Sequence, residues 1–241
     1  MIAYGATNVG KIRKNNEDAY LICQDEGVFI LADGMGGHKG GEYASAMAVE
    51  ALGQSLKKAQ SPGDIERAIQ EVNGKIFEKA SQHEELSGMG TTLSVVDLIG
   101  PELYFANIGD SRIYQLREGE FSQLTKDDSY VNYLVDVGAI SEAQAQDHPK
   151  KNVLLKALGT TEEVDVLIQS LAWKEGDCYL LCSDGLSNML PEEEMAKILR
   201  EMDPQRAVDT LIDKALDSGG KDNITVIVLL IQGGAQWLVT P

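Results

Sequence analysis

The chain has 241 residues, enough for one large domain, and its 38 Asp and Glu against 21 Lys and Arg give a formal net charge of -17. A surface of that sign repels the phosphate backbone, so the composition argues against a nucleic-acid partner. No apolar stretch approaches the roughly 20 residues of a membrane span, and the first residues lack the features of a signal peptide. We therefore expect a cytoplasmic protein with no membrane partner.

Apolar runs and helical periodicity follow one another in an order typical of an α+β fold, because strands and helices cluster instead of alternating. Arg117, Glu118 and Gly119 separate two short strands and predict a hairpin turn. The runs that predict strands are 28–32, 91–98, 103–108, 112–116, 120–124, 179–182 and 224–231. The segments that predict helices are 42–56, 192–201, 205–216 and a stretch that starts at Ser61 and repeats Ile65, Ile69, Val72 and Ile76 on one face.

Two segments depart from this order. Residues 126–160 are polar and interrupted by Gly138, Pro149 and Gly159, so we interpret them as an excursion of small helices and loops. Residues 233–241 predict a loosely attached tail, and we expect one domain over residues 1–241. The three cysteines lie inside apolar runs, which favours buried, reduced thiols.

Four aspartates stand where predicted strands end or begin. Asp33 and Asp184 each follow a strand and precede a glycine, Asp110 follows Gly109, and Asp222 comes just before the last strand. If the strands lie in packed sheets, each carboxylate sits at a rim where a glycine lets the backbone turn it inward. Any one Asp-Gly pair alone is more typical of an ordinary turn. The four together predict that the carboxylates converge.

Clustered carboxylates repel one another unless protons or cations neutralise them, and oxygen ligands suit hard ions such as Mg²⁺ or Mn²⁺. Two such ions about 3.5–4 Å apart share an activated water. Asp18 lies in sequence beside the basic residues Lys11, Arg13 and Lys14, which offer the counter-charge that a phosphate needs. The sequence therefore indicates a metal site that acts on a phosphate ester.

The glycine-rich run 34–41 precedes a predicted helix, so a phosphate-binding loop is an alternative interpretation. The run matches neither the Walker spacing nor the strict dinucleotide-binding spacing. We interpret it instead as a loop that lets the backbone approach a metal or its water shell, with the carbonyl of Gly34 as a candidate ligand.

Seven segments together resemble the protein phosphatase 2C (PPM) family of metal-dependent phosphatases, in its small bacterial form. Any one segment alone is weak evidence. Together the segments span nearly the whole chain, and their order and spacing are highly specific. The segments are RKNNED (13–18), ADGMGGH (32–38), GTT (90–92), GDSRIY (109–114), HP (148–149), SDG (183–185) and GKDNITV (220–226).

The resemblance implies an αββα sandwich: two antiparallel sheets packed face to face between helix pairs, with the metal site between the sheet ends. Residues 126–160 correspond to the segment called the flap in this family. The implied metal ligands are Asp18, Asp33, Gly34, Asp110, Asp184 and Asp222, with Asp33 bridging two ions and Asp110 serving a third, weaker one. Arg13 matches the arginine that binds the substrate phosphate.

The resemblance also implies hydrolysis of phosphoserine and phosphothreonine in proteins by a metal-bridging water, with two to three Mn²⁺ or Mg²⁺ ions as cofactors. The general acid is open, because many relatives carry a His directly after the Asp-Gly pair, where this chain has Met35. His38 is one candidate and a metal-bound water is another, while a His38 that only caps the following helix is the structural alternative.

One more departure from the family pattern and three alternative functions bear on the substrate. Bacterial relatives often read Asp-His-Ser where this chain has Asp127, Asp128 and Ser129. We expect phosphorylated proteins as partners, including a Ser/Thr protein kinase whose phosphorylation the enzyme reverses, and a monomer. A phosphopeptide-binding pseudophosphatase, a phosphatase for an anti-sigma-factor antagonist and a small-molecule phosphoesterase are the competing interpretations; the first should lack metal ligands, and none of the candidate aspartates is missing.

Overall fold

The computed structural model describes residues 1–36 and 40–232, and in this part of the chain two antiparallel β-sheets pack face to face. The strands, in chain order, are β1 (Ile2–Asn8), β2 (Asp18–Cys23), β3 (Val28–Met35), β4 (Gly90–Thr91), β5 (Leu93–Ile99), β6 (Glu102–Ile108), β7 (Arg112–Arg117), β8 (Glu120–Gln123), β9 (Gln169–Ala172), β10 (Cys178–Cys182) and β11 (Ile224–Leu230). The first sheet has the order β1-β11-β10-β7-β8, and the second has β2-β3-β5-β6-β9 with β4 paired to β3.

Helices cover the outer face of each sheet. The α-helices, in chain order, are α1 (Gly40–Leu56), α2 (Pro62–Gln82), α3 (Tyr130–Asp136), α4 (Glu142–Gln146), α5 (Asp184–Ser187), α6 (Glu192–Glu201) and α7 (Pro204–Asp217), and the two long pairs among them form these outer layers. The long pair α1 and α2 packs on the second sheet, and α6 and α7 pack on the first. The short helices α3 and α4 lie in the flap.

The alternation of side chains in a strand explains why the first five residues of β3, Val28 to Ala32, are all apolar. Val28 and Ile30 point into the core beneath α1 and α2, whereas Phe29 and Leu31 point into the core between the sheets. A third core joins the first sheet to α6 and α7. Three cores between four layers confirm the predicted αββα sandwich.

The strands that the apolar runs failed to predict all lie at sheet edges. β1, β2 and β9 are outermost in their sheets, and most of their residues are only half-buried or exposed. An edge strand packs on fewer neighbours, so its sequence needs no continuous apolar run. The predicted run 91–98 is also divided, because β4 and β5 are separate strands on either side of Thr92.

The predicted hairpin is present with a shorter turn. Arg117 pairs with Glu120, so it belongs to β7 and the turn consists of Glu118 and Gly119 alone. Both have positive φ, 53° and 86°, as a two-residue type I′ turn requires. Within residues 1–36 and 40–232, no helix combines the length and apolarity needed to cross a bilayer.

Candidate active site

Strand pairing places two of the candidate carboxylates side by side. Asp18 is the first residue of β2 and lies directly opposite Asp33 of β3 in the antiparallel register. Side chains on directly opposed positions share one face of the sheet. This pairing could not be predicted from the sequence, because β2 is an edge strand without a continuous apolar run.

Asp18 also joins the two sheets. Its Oδ2 accepts hydrogen bonds from the hydroxyls of Ser183, at 2.8 Å, and Thr225, at 2.6 Å, both of which belong to the first sheet or its end. Its Oδ1 is buried and has no hydrogen-bond partner among the described residues. A buried, unpartnered carboxylate oxygen is costly, so this atom is suited to bind a cation.

The end of β10 brings Asp184 to the same place. Ser183 precedes the short helix α5, and Asp184 is its first residue. A Cβ on Gly185 would collide with the carbonyl oxygen of Asn223, so a glycine is needed for α5 to approach the start of β11 this closely. Asp184 and Asp222 are therefore held on neighbouring segments.

The loop that carries Arg13 is hydrogen-bonded to Asn223, the residue just before β11. The side chain of Asn223 accepts a hydrogen bond from the Glu17 N–H, at 2.8 Å, and donates to the carbonyls of Val9 and Asn15, at 3.0 Å each. Arg13 reaches back and donates from Nη2 to Oδ2 of Asp222 across 2.7 Å. The guanidinium of Arg13 therefore lies at the edge of the cluster of site carboxylates.

The pKa values show how strongly the carboxylates interact. Burial, followed by the charges of Asp18 and the other site aspartates, raises the pKa of Asp33 well above its ordinary range. Burial and the charges of Asp110 and Asp222 raise the pKa of Asp184 to about 8. Burial raises the pKa of Asp18 to about 6, although hydrogen bonds from Thr225 and Ser183 oppose the shift. These carboxylates repel one another when all are ionised, so positive charge bound among them lowers the free energy of the folded protein.

Asp110 lies on the flap side of this group. Gly109 before it has a φ of 96°, which only glycine adopts without strain. Burial and the charge of Asp127 raise the pKa of Asp110 to about 6. Asp110 and Asp184 both line a cavity of about 900 Å³ that continues between the flap and α5.

The structure places the predicted site residues as follows. It brings Asp18, Asp33, Asp184 and Asp222 together at one end of the sheets, with Asp110 within electrostatic reach of them. Gly34 follows Asp33 inside β3, and a Cβ there would collide with the carbonyl oxygen of Gly41. His38 lies outside the described residues, as does the predicted tail 233–241.

The turn interpretation is wrong for both Asp-Gly pairs. Asp33 and Gly34 continue strand β3, and Asp184 and Gly185 open helix α5. At Gly34 and Gly185 the glycine serves close packing rather than the backbone curvature that the sequence suggested, since neither has positive φ. Of these three glycines, only Gly109 has the positive φ that the predicted turn of the backbone requires.

The donor atoms fit a hard divalent cation, because all candidates are oxygens. In the part of the chain that the structure describes, no three His, Cys, Asp or Glu side chains are grouped closely enough to hold one ion by themselves. Mg²⁺ in proteins commonly keeps several waters and takes only one or two carboxylates. The unpartnered Oδ1 of Asp18 and the mutual repulsion of the aspartates favour ions held in that way.

Several residues that position the site aspartates by hydrogen bonds had no role predicted for them from the sequence. Besides Ser183, Thr225 and Asn223, the Oγ1 of Thr92 accepts a hydrogen bond from the Asp33 N–H, at 2.9 Å, and bonds the hydroxyl of Ser111 at 2.8 Å. Thr92 therefore links the Asp33 strand to the Asp110 loop. One signal was available: Thr225 interrupts an apolar strand, and a buried hydroxyl needs a partner.

Comparison with known proteins gives consistent matches. The sequence model of the Protein phosphatase 2C family matches residues 11–217. The serine/threonine phosphatase stp of Listeria innocua is 41% identical over 234 residues, which covers 92% of this chain and 93% of that protein. The crystal structure of the Mycobacterium tuberculosis serine/threonine phosphatase PstP/Ppp superposes with a TM-score of 0.90 at 36% identity, over 96% of this chain and 98% of that one.

A further solved structure bears on the metal. It is the catalytic domain of the serine/threonine protein phosphatase PstP in complex with two manganese ions. It is similar to this chain with a TM-score of 0.86 and 36% identity, over 94% of this chain and 96% of that one.

Proposed function

The chain belongs to the protein phosphatase 2C family of serine/threonine phosphatases, and we propose that it hydrolyses phosphoserine and phosphothreonine in proteins at the carboxylate-lined cleft, with divalent cations as cofactors. The observation that carries this proposal is the meeting of Asp18, Asp33, Asp184 and Asp222 beside the guanidinium of Arg13. Cation ligands and a phosphate-binding group are thus adjacent.

The oxygens that would hold the cations are those of Asp18, Asp33, Asp184 and Asp222, with the carbonyl of Gly34, and Asp110 for a third ion. When bound, divalent cations lower the pKa of water and offset charge on phosphoryl oxygens. The metal is Mn²⁺ or Mg²⁺, both of which accept oxygen ligands. The manganese-containing relative supports this choice.

The chain's own groups bind and orient the substrate. Arg13 lies on a loop fixed by Asn223, and its half-exposed guanidinium presents several N–H donors that match phosphate oxygens. His38 is a candidate general acid for the leaving serine or threonine oxygen, and a water on the cation is the other.

A cysteine nucleophile is disfavoured by the state of the thiols. Burial raises the pKa of Cys178 and of Cys182 to about 12, and Cys182 lies only two residues before Asp184. Nucleophilic cysteines need a lowered pKa, because the thiolate is the reactive species. Attack by water is therefore the better supported route.

The partners and setting are also part of the proposal. A serine/threonine phosphatase acts on proteins that a serine/threonine kinase has phosphorylated, so such a kinase is the expected opposing enzyme. All three cysteines are free thiols, which supports a reducing compartment such as the cytoplasm. We propose a monomer, which sedimentation of the purified protein tests.

The test is release of phosphate from a phosphothreonine peptide by purified, metal-stripped protein. Mn²⁺ or Mg²⁺ should restore release and excess chelator should abolish it, with a phosphoserine peptide also cleaved. Asp33→Asn protein serves as the inactive control. If the protein binds Mn²⁺ in calorimetry but releases no phosphate from either peptide with either metal, the proposed protein phosphatase function is wrong.

A further inference from the structure

Asp18 belongs to a closed ring of hydrogen bonds that also contains Thr7 and Asn16, two residues outside the cluster of site carboxylates. The Asp18 N–H donates to Oδ1 of Asn16 at 3.2 Å, and Nδ2 of Asn16 donates to Oγ1 of Thr7 at 2.8 Å. The hydroxyls of Thr7 and Thr225 are 2.7 Å apart, and the Thr225 hydroxyl lies 2.6 Å from Oδ2 of Asp18. The ring therefore leaves Asp18 at its backbone and returns to it at its side chain.

The direction of each bond in the ring follows from the number of hydrogens available. Two oxygens 2.6 Å apart need a hydrogen between them, and the carboxylate of Asp18 has none to give. Thr225 therefore donates to Asp18, and because a hydroxyl has only one hydrogen, Thr7 donates to Thr225. Thr7 in turn accepts from Asn16, whose amide nitrogen only donates. All the bonds run the same way round the ring, so each bond polarises and strengthens the next.

Ser183 bonds the same carboxylate oxygen from outside the ring. Its hydroxyl accepts from the Thr225 N–H at 2.9 Å and donates to Oδ2 of Asp18 at 2.8 Å. Oδ2 thus accepts from two hydroxyls, each of which is oriented by a further hydrogen bond. The buried Oδ1, which has no hydrogen-bond partner among the described residues, is the oxygen left to bind a cation.

Strand pairing brings the members of the ring together. Thr7 of β1 lies directly opposite Thr225 of β11 in the antiparallel register. Asp18 begins β2, so the ring joins the two sheets at the side where β1 and β2 are their outermost strands. Thr225 is fully buried and Thr7 is exposed. The ring therefore connects the buried carboxylate to the surface of β1.

Building on the phosphatase function proposed above, we propose that Thr7 and Asn16 are positioning residues for Asp18. Through Thr225 and the Asp18 N–H they hold the carboxylate in one orientation, with Oδ1 free for the cation. A divalent cation then binds without first having to order that side chain, which raises its affinity.

Two substitutions separate the Thr7 hydroxyl from the shape of the side chain. Valine has nearly the size of threonine without its hydroxyl, whereas serine keeps the hydroxyl. Because Thr7 is exposed on an edge strand, and valine favours strands, Thr7→Val should fold. In calorimetric titration of metal-stripped protein, Mn²⁺ should bind Thr7→Val about fivefold more weakly than the parent, the effect of one net hydrogen bond.

The control proteins should retain the Mn²⁺ affinity of the parent. Thr7→Ser keeps the ring closed, so its affinity should stay within about twofold of the parent's. Thr210→Val makes the same change on α7, where the hydroxyl contacts the sulfur of Met202, and should have no effect. Equal Mn²⁺ affinities in Thr7→Val and Thr7→Ser would overturn the proposal.

Amide exchange of Asp18 in chelator tests the ring without metal and without turnover. The Asp18 N–H donates to Asn16 and not to Thr7, so the loss of the Thr7 hydroxyl reaches it only through the Asn16 amide. NMR should show faster exchange of this N–H in Thr7→Val than in Thr7→Ser. The nearby Gly34 N–H, which donates to the Glu17 carbonyl at 3.0 Å, should exchange equally in both. An unchanged rate at Asp18, or faster exchange at both amides, would contradict the proposal.

Asn16→Ala opens the same ring at another bond and serves as a second variant if Thr7→Val fails to fold. It should weaken Mn²⁺ binding about fivefold or more, since it removes a donor and an acceptor of the ring. The double variant with Thr7→Val should bind Mn²⁺ no more weakly than Asn16→Ala alone, because a ring opened once is already broken. A parental affinity in Asn16→Ala, or effects that multiply in the double variant, would overturn the proposal.

Kinetics distinguish an effect on the cation from an effect on the substrate. The Mn²⁺ concentration for half-maximal phosphate release should rise about fivefold in Thr7→Val. KM for a phosphothreonine peptide at saturating Mn²⁺ should equal the parent's, and a raised KM there would contradict the proposal. The proposed phosphatase function fails separately, by the absence of metal-dependent phosphate release, whereas the Mn²⁺ titration and the exchange rates do not depend on turnover.

Discussion

The guanidinium of Arg13 and the carboxylate of Asp222 form an ion pair at 2.7 Å, with 51% of the arginine side chain and 32% of the aspartate side chain exposed. Asp222 is a proposed cation ligand and Arg13 a proposed phosphate ligand. The same carboxylate therefore faces two positive partners, the arginine and a metal ion. Because the pair is partly exposed, its contribution is modest, about 1 kcal/mol or less.

Arg13→Ala should have opposite effects on the two ligands. Losing charge-assisted hydrogen bonds to phosphate costs about 1.5–3 kcal/mol, so KM for a phosphothreonine peptide should rise roughly 10- to 100-fold. Releasing Asp222 from its ion pair should tighten Mn²⁺ binding about two- to fivefold in calorimetry. Arg67→Ala, an exposed arginine on α2, is the control, and a KM equal to the parent's would remove Arg13 from the phosphate site.

Asp33→Asn should abolish turnover. Asp33 lies in the middle of the carboxylate group, opposite Asp18, and an amide neither neutralises nor retains a divalent cation as a carboxylate does. We expect a loss of about 10³-fold or more in kcat/KM together with weaker Mn²⁺ binding, since a cation supplies several kcal/mol of transition-state stabilisation. Asp213→Asn, an exposed change on α7, should be silent; turnover at the parent's rate in Asp33→Asn would dismiss the site assignment.

The same variant should be more stable than its parent when metal is absent. Burial and four neighbouring carboxylates raise the pKa of Asp33 well above its ordinary range, so the charged form destabilises the native state. Thermal unfolding in chelator should show a higher Tm for Asp33→Asn at pH 8. Adding Mn²⁺ should reverse the order, because only the parent gains full stabilisation from the ion.

The sequence was informative where one local pattern carried both fold and chemistry. Asp33 lies near the end of the buried strand β3, Asp110 and Asp184 closely follow strands, and Asp222 precedes β11. Apolar runs predict such strands well. The positions of those strands and the α+β class were therefore predictable from the chain alone. The prediction that the aspartates converge was drawn from their common position near strand ends.

The remainder depends on contacts between segments distant in sequence. The pairing of Asp18 with Asp33 uses edge strand β2, and the hold on Asp18 comes from Ser183 and Thr225, 165 and 207 residues away in the chain. A serine or threonine within an apolar run does not reveal which carboxylate it meets. The hydrogen bonds of Gly109 with Asp128 and of Arg112 with Asp127, on either side of Asp110, could not be predicted for the same reason. Asp127 and Asp128 follow the hairpin in sequence and contact these residues only in the folded chain.

A buried carboxylate outside the site should make stability depend on pH. Asp97 of β5 is 2% exposed, its Oδ2 has no hydrogen-bond partner among the described residues, and burial raises its pKa to about 7. In the unfolded chain an aspartate has a pKa of about 3.9. Between these values the native state holds a proton that the unfolded state has released, so the free energy of unfolding falls as pH rises through this window.

Asp97→Asn should remove that dependence. At pH 8 the variant should be more stable than its parent by about 1–3 kcal/mol, less than the roughly 4 kcal/mol that the full shift implies, because a buried amide also lacks partners. Near pH 4 the advantage should vanish. Urea unfolding at both pH values in chelator measures the difference, with exposed Asp209→Asn as the control; an advantage that is equal at pH 4 and pH 8 would refute the assignment to Asp97.

Asp177 has the opposite pH dependence at the other end of the first sheet. Burial works to raise its pKa, but hydrogen bonds from Arg117, the Lys174 N–H and Tyr179 outweigh burial and hold the pKa below the ordinary value. The stabilisation is therefore present above the unfolded pKa of about 3.9 and is lost as pH falls through the native pKa. Asp177→Ala leaves the Arg117 guanidinium, which is only 26% exposed, without its carboxylate.

Removing one partner of such a pair should cost about 3 kcal/mol in urea unfolding at pH 7. Lys174→Ala, which breaks a neighbouring but exposed pair with Glu118 at 3.5 Å, should cost less than about 1 kcal/mol. Asp177 precedes β10 whereas Asp184 follows it, so the length of that strand separates the two carboxylates. KM and Mn²⁺ affinity should therefore be unchanged in Asp177→Ala at temperatures where the protein stays folded; a changed Mn²⁺ affinity would show that the two ends of the sheet are coupled.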